Sequence, residues 1–153
     1  MPDRDPGELS PRHLLERAPS ERYRTARAPV ADDTGGPARA VLLGLGAAGI
    51  GITVHLAFAV LLLATGGLLV VAATLGFVVG ASVRHGAGPR VGSRMRRALG
   101  LGLAVAAVAV ALGVNWGLSG AYLAPFDFFD QVYGLLVPLQ IAAAAAGALA
   151  GTR

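Results

Sequence analysis

The chain has 153 residues, of which 54% are apolar and only 14% charged, against about a quarter charged in soluble domains. No Asp, Glu, Lys or Arg occurs from Ala40 to Val83, from Ala98 to Leu123 or from Gln131 to Thr152, uncharged runs of 44, 26 and 22 residues. That pattern excludes an ordinary soluble domain. The absence of cysteine excludes disulfides, thiolate catalysis, Cys lipidation and Cys-based metal or redox centres.

An uncharged apolar run of about 18 residues or more is a transmembrane helix candidate, because about 20 residues at about 1.5 Å each cross a hydrocarbon core of about 30 Å. Lipid offers the backbone no hydrogen bonds, so each run is expected to be helical. All thirteen Lys and Arg residues are Arg, and there are 22 Gly; this composition resembles the product of a GC-rich bacterial genome and is read as compositional drift, not function.

Residues 1–39 are expected to form a disordered cytoplasmic tail. They hold seven Arg, seven acids and six Pro, with too few apolar residues to bury a core. A short helix capped by Ser10, with Pro11 in its first turn and Leu14 and Leu15 behind, is the one local element there. It would serve either as a docking peptide or as part of a solvated tail. The tail does not have the form of a cleavable signal peptide, since the apolar run starts too late.

The first apolar run is too long for one span: 44 residues would reach about 66 Å as a helix. The turn-like cluster Thr65-Gly66-Gly67 splits it into helices over about 40–64 and 67–83. A third span is expected over about 98–119 and a fourth over about 132–150, the last containing Pro138 and Gln140. The expected fold is therefore an all-α membrane protein, with four transmembrane helices in an up-down bundle over 40–151.

Arginine placement orients this bundle. Cytoplasmic loops are rich in Arg close to the helix ends. With four spans, the tail, the 84–97 loop (Arg84, Arg90, Arg94, Arg96, Arg97) and Arg153 fall on one side, while the connections near 65–67 and 120–131 hold no Arg. Both termini are thus expected on the cytoplasmic side of the plasma membrane. The five loop arginines are also candidate contacts for anionic lipid headgroups. The net charge of +4 follows from this topology, so no nucleic-acid partner is expected. Six of the nine aromatic residues, Trp116, Tyr122, Phe126, Phe128, Phe129 and Tyr133, cluster where the outer interface would lie. Ala121–Asp130 reads as a short amphipathic stretch on that surface, with Asp127 capping the fourth helix and Asp130 in its first turn.

Helices in lipid associate through small residues that allow close approach. Such residues recur at spacings of four in every span: Gly44/Ala48 and Ala47/Gly51, Ala72-Gly76-Gly80, Ala109-Gly113-Gly117, and Ala143-Gly147-Gly151. Gly44-Leu-Gly46-Ala-Ala-Gly49 matches the literal dinucleotide fingerprint. It has no preceding strand, and its next acid is Asp127, so it reads as a packing surface and no cofactor is implied.

The candidate site is polar. His55 is the only ionisable side chain inside an expected span, and such residues are costly in lipid. Topology puts it in the same leaflet as Asn115 and Gln140, with Asp127 and Asp130 nearer the surface. The cluster would either open outwards as a proton-sensitive or small-ligand site, or hold the bundle in register through a hydrogen bond from neutral His55 to Gln140 or to a backbone carbonyl. Asp127 and Asp130 at i, i+3 would alternatively act as paired carboxylates of a lipid-handling enzyme. No recognisable catalytic motif accompanies any of these residues, so enzyme activity and resident metals are not expected. The helix count is shared with small multidrug transporters and vitamin K epoxide reductase-like proteins, but the membrane glutamate of the former and the cysteines of the latter are missing. The leading expectation is a non-enzymatic accessory or structural subunit. Its partners are the lipid bilayer and either further copies of itself or a larger membrane protein. A small transporter or channel subunit built around His55 is the alternative.

Overall fold

The computed structural model describes residues 35–61 and 67–153. The expected tail with its Ser10 helix and nearly all of the expected first turn lie outside these residues. Every regular element described is a helix: α1 (Pro37–Leu61), α2 (Gly67–Ala87), α3 (Ser93–Leu118), α4 (Pro125–Val132) and α5 (Leu136–Gly151). Three of them, α1, α2 and α3, are long and apolar enough to cross a membrane. The pair α4 and α5 meets that test only together, and it is bent by 89° at its break.

Helix ends depart from the expected spans because a helix does not stop where the hydrocarbon does. Arg is a good helix former, so α2 continues through Arg84 and α3 starts at Ser93, ahead of Arg94, Arg96 and Arg97. Only Arg90 of the five lies in the connection between them. Gly88, at φ +62, reverses the chain there, a conformation glycine adopts without steric cost. The fourth apolar segment departs most. Its expected start at 132 falls at the end of the separate helix α4, and Gly134 at φ +49 breaks the chain before α5 begins. Pro125 opens α4, and Pro138 sits in the first turn of α5. Both are positions where the missing N–H costs nothing. Asp127 consequently lies in the first turn of α4 and caps no helix; the residue before α4 is Ala124, which makes no side-chain cap.

α2 is the central helix, packed against α1, α3 and α5; α3 also packs on α1 and α5, and α1 has no comparable interface with α5. Glycines set the closest approaches. A Cβ at Gly44 would lie 2.6 Å from Leu103 Cδ1 and 2.9 Å from Val83 Cγ2, and one at Gly51 would lie 2.6 Å from Leu75 Cγ. Together these contacts make α1 antiparallel to α2. Between α2 and α5 the backbones themselves touch. A Cβ at Gly76 would fall on the Ala144 carbonyl, one at Gly80 on that of Ala148, one at Gly147 on that of Ala73 and one at Gly151 on that of Phe77. Residue numbers rise together across this seam, so α2 and α5 run parallel. Two small-xxx-small pairs face each other, the geometry that suits lipid, where packing rather than hydrophobicity drives association.

The interior is layered along the axis. Ala40, Val83, Ala87 and Val91 form one layer, Ala48, Leu75, Val79, Ala104, Ala107 and Ala148 the next, and Ala72, Val108, Leu112 and Ala144 a third. The first layer is tied to the chain preceding α1: Gly36 N–H donates to the Gly86 carbonyl at 3.1 Å, and a Cβ at Gly86 would lie 2.7 Å from Ala40 Cα. At the same end, a Cβ at Gly100 would be 2.7 Å from Thr152 Cγ2. Of the described residues, all seven arginines belong to segments at this end, and the only carboxylate side chains, Asp127 and Asp130, lie on α4 beyond the opposite end.

Candidate functional site

At the Ala72 edge of the third apolar layer the interior turns polar. His55 is 1% exposed, Gln140 0% and Asn115 8%. The packing register brings them to one level. Four residues beyond the Gly51–Leu75 contact, His55 stands opposite Val71. Four residues before the Gly76–Ala144 contact, Gln140 stands opposite Ala72. Eleven residues beyond the Gly44–Leu103 contact, His55 stands opposite Val114, the neighbour of Asn115. Ala72 is fully buried at the same level; its methyl group leaves the layer to the larger polar side chains. Leu68, at 2% exposure, lies one turn beyond Ala72 on α2.

His55 is six residues before Leu61, the last described residue of α1. Gln140 lies four residues into α5, about 6 Å from its start.

The polar groups are not paired with each other in the expected way. His55 Nδ1 and both amide atoms of Gln140 have no hydrogen-bond partner among the described residues, so the His55–Gln140 bond is not formed. An unpartnered buried amide or imidazole is expensive, so this is the least satisfied part of the interior. By contrast Thr53 and Thr74 satisfy their hydroxyls within their own helices, on the carbonyls of Gly49 at 3.1 Å and Val70 at 2.8 Å.

Asn115 does have a partner, and it is one the residue pattern did not single out: its amide Nδ2 donates to the Tyr133 hydroxyl. Tyr133 follows α4 and closes it with a backbone N–H to the Phe129 carbonyl at 3.0 Å. It also faces Phe128 edge-on at 6.2 Å, within the cluster made by Tyr122, Phe128 and Phe129. The signal in the sequence is present but not specific: a hydroxyl-bearing aromatic among otherwise apolar rings, at the start of the fourth apolar run. Trp116 fixes the preceding turn by donating its indole N–H to the Leu123 carbonyl at 2.9 Å. A cavity of about 340 Å³ opens here, with Asn115, Ser119, Tyr122 and Tyr133 supplying its polar wall and Val60 and Leu118 part of its apolar one.

Asp127 and Asp130 do not line that cavity. Both are exposed on α4, and the polar group from this part of the chain that reaches the layer is the Tyr133 hydroxyl, at Asn115. Among the described residues no three His, Cys, Asp or Glu side chains come together as a metal site would require. At the opposite end Arg84, Arg90, Arg94 and Arg97 are exposed and Arg96 is half-buried, with the Arg96 Nε buried and without a partner among the described residues. The glycines of the dinucleotide-like pattern are helical: Gly44 is buried against Leu103 and Val83, whereas Gly46 and Gly49 face open space. No family model, curated protein sequence or solved structure matches the chain.

Proposed function

We propose that this chain is a non-enzymatic accessory or structural subunit of the plasma membrane that works by packing its helices against another membrane protein or further copies of itself. One contrast carries this reading. The small-residue faces of α2 and α5 are consumed within the chain, but a Cβ added at Gly46 or Gly49 on α1, or at Gly102, Gly113 or Gly117 on α3, would meet no other part of the described residues within 4 Å. With Thr53 and Ala57 on α1 and Ala106 and Ala109 on α3, all exposed, they form faces suited to close helix–helix contact in lipid. In this proposal α1, α2 and α3 each cross the membrane and α4 with α5 completes a fourth, broken crossing. The arginine-rich end and both termini lie on the cytoplasmic side, a reading supported by the separation of arginines from Asp127 and Asp130 along the bundle.

Affinity purification in mild detergent, read by mass spectrometry and particle mass, tests the subunit role. A stoichiometric membrane-protein partner or a defined homo-oligomer is expected; a bare monomer that moves a solute unaided in liposomes would sink the proposal. Reporters fused to the two termini test the topology, and opposite sides would refute four crossings.

A second reading, a small transporter or channel subunit, draws on His55 Nδ1 and the Gln140 amide, which lack partners among the described residues, and on the cavity at Asn115 and Tyr133. His55→Gln would then abolish transport while the protein remains folded. Under the subunit reading the same variant keeps its partner.

A further inference from the structure

We infer that the groove between α1 and α2 holds one anionic phospholipid, its phosphate on Arg84 and His85 and an acyl chain along the groove. Two depressions on this face share Val78 as a lining residue. One, of about 270 Å³, is walled by apolar side chains including Ile50, Val54, Phe58 and Val70; the other, of about 460 Å³, by Leu43 and Phe77 together with Ser82, Arg84 and His85. Meeting at Val78, the two depressions together extend from the level of Arg84 to that of Val70, fourteen residues along α2, or about 21 Å. That exceeds the roughly 15 Å of a single leaflet, half of the hydrocarbon core.

The occupant follows from the chemistry of the two ends. The long arm is almost wholly apolar: its one hydroxyl, that of Thr74, is spent on the Val70 carbonyl at 2.8 Å. Such a wall accepts hydrocarbon and offers nothing to a polar ligand. The short arm ends on an exposed guanidinium, an imidazole and the Ser82 hydroxyl, donors that together suit a phosphate. Among the described residues no Asp or Glu lies at this end, the two described acids being Asp127 and Asp130 at the far end. An amphiphile with one anionic head and a long apolar tail is complementary to both arms. The position of Arg84 and His85 in the last turn of α2 puts the head at the interfacial end of a span, where phospholipid headgroups lie.

The test is native mass spectrometry of the full-length protein, released from detergent after incubation with equimolar phosphatidylglycerol and phosphatidylcholine. A single phosphatidylglycerol per chain is expected, favoured about tenfold or more over phosphatidylcholine. Arg84→Gln combined with His85→Gln should cut that adduct about tenfold. Val78→Trp, a change at an exposed position where the two depressions join, should cut it similarly with helix content unchanged by circular dichroism. Arg94→Gln, at the same end but outside the groove, should leave it intact. Equal retention of the two lipids would overturn the inference, as would an equal loss in Arg94→Gln. A lipid-free dimer that Val78→Trp dissociates would show the groove to be a protein interface instead.

Discussion

The seam between α2 and α5 yields the most quantitative prediction. Alanine is a better helix former than glycine by about 0.8–1 kcal/mol, so Gly→Ala should stabilise any helix position where the methyl group has room. At Gly76 it has none, because the new Cβ falls on the backbone carbonyl of Ala144. Backbone cannot rotate away as a flexible side chain can, so α5 must move off as a body. Overpacking of this kind costs about 1–3 kcal/mol, and close backbone contacts worth about 0.5–1 kcal/mol each are lost as the helices part. Set against the propensity gain, Gly76→Ala should destabilise the fold by about 1–2 kcal/mol. Gly113→Ala is the matched control on α3, where the new Cβ would meet no other part of the described residues within 4 Å. It should be neutral or stabilising by up to about 1 kcal/mol. Both variants would be unfolded by SDS titration from mild detergent, following helicity by circular dichroism. Gly76→Ala paired with Gly147→Ala should cost less than the sum of the two, since one displacement of α5 relieves both clashes. A Gly76→Ala variant within about 0.5 kcal/mol of the parent would refute this account, as would a monomer in which Gly113→Ala is the more damaging change.

Three further outcomes are expected. Gln140→Leu should leave stability unchanged or raise it by about 1–3 kcal/mol, since it removes a buried amide whose two polar atoms lack partners and leaves no polar atom unsatisfied; a clear loss in the same SDS titration would show that the amide is paired in the membrane. Tyr133→Phe should cost about 1–3 kcal/mol by stranding the Asn115 amide, and Asn115→Leu added to it should recover most of that. Independent, additive losses from the two changes would refute the coupling. Gly113→Leu, on an open face of α3, should leave the isolated chain folded but abolish capture of its partner or its homo-oligomer. Unchanged assembly by particle mass would remove the main support for the subunit role.

Much of the candidate site is legible in the order of residues alone. His55 stands out as the one ionisable residue in a long uncharged run, and counting residues from the helix ends puts Asn115 and Gln140 in the same leaflet. The pairing is not legible in this way. Whether His55 meets Gln140 depends on helix rotation and on which helices are neighbours, and α1 packs on α2 and α3 rather than on α5. The partner that Asn115 does find comes from the turn after α4, whose direction is set by Gly134 and not by hydrophobic pattern.

The sequence by itself determined that the chain is built of membrane-compatible helices, because uncharged apolar runs and the backbone's need for internal hydrogen bonds leave lipid few other solutions. It also determined which segments carry the arginines and which carry the only two acids of the helical region. The tertiary structure decided how the small residues are used. Identical spacings of four occur on α2, α3 and α5, yet only those of α2 and α5 close on each other, while Gly113 and Gly117 of α3 face outwards. Spacing places residues on one face of a helix but says nothing about what lies opposite that face. That is settled by the rotation and order of helices, which depend on the packing of the whole interior at once.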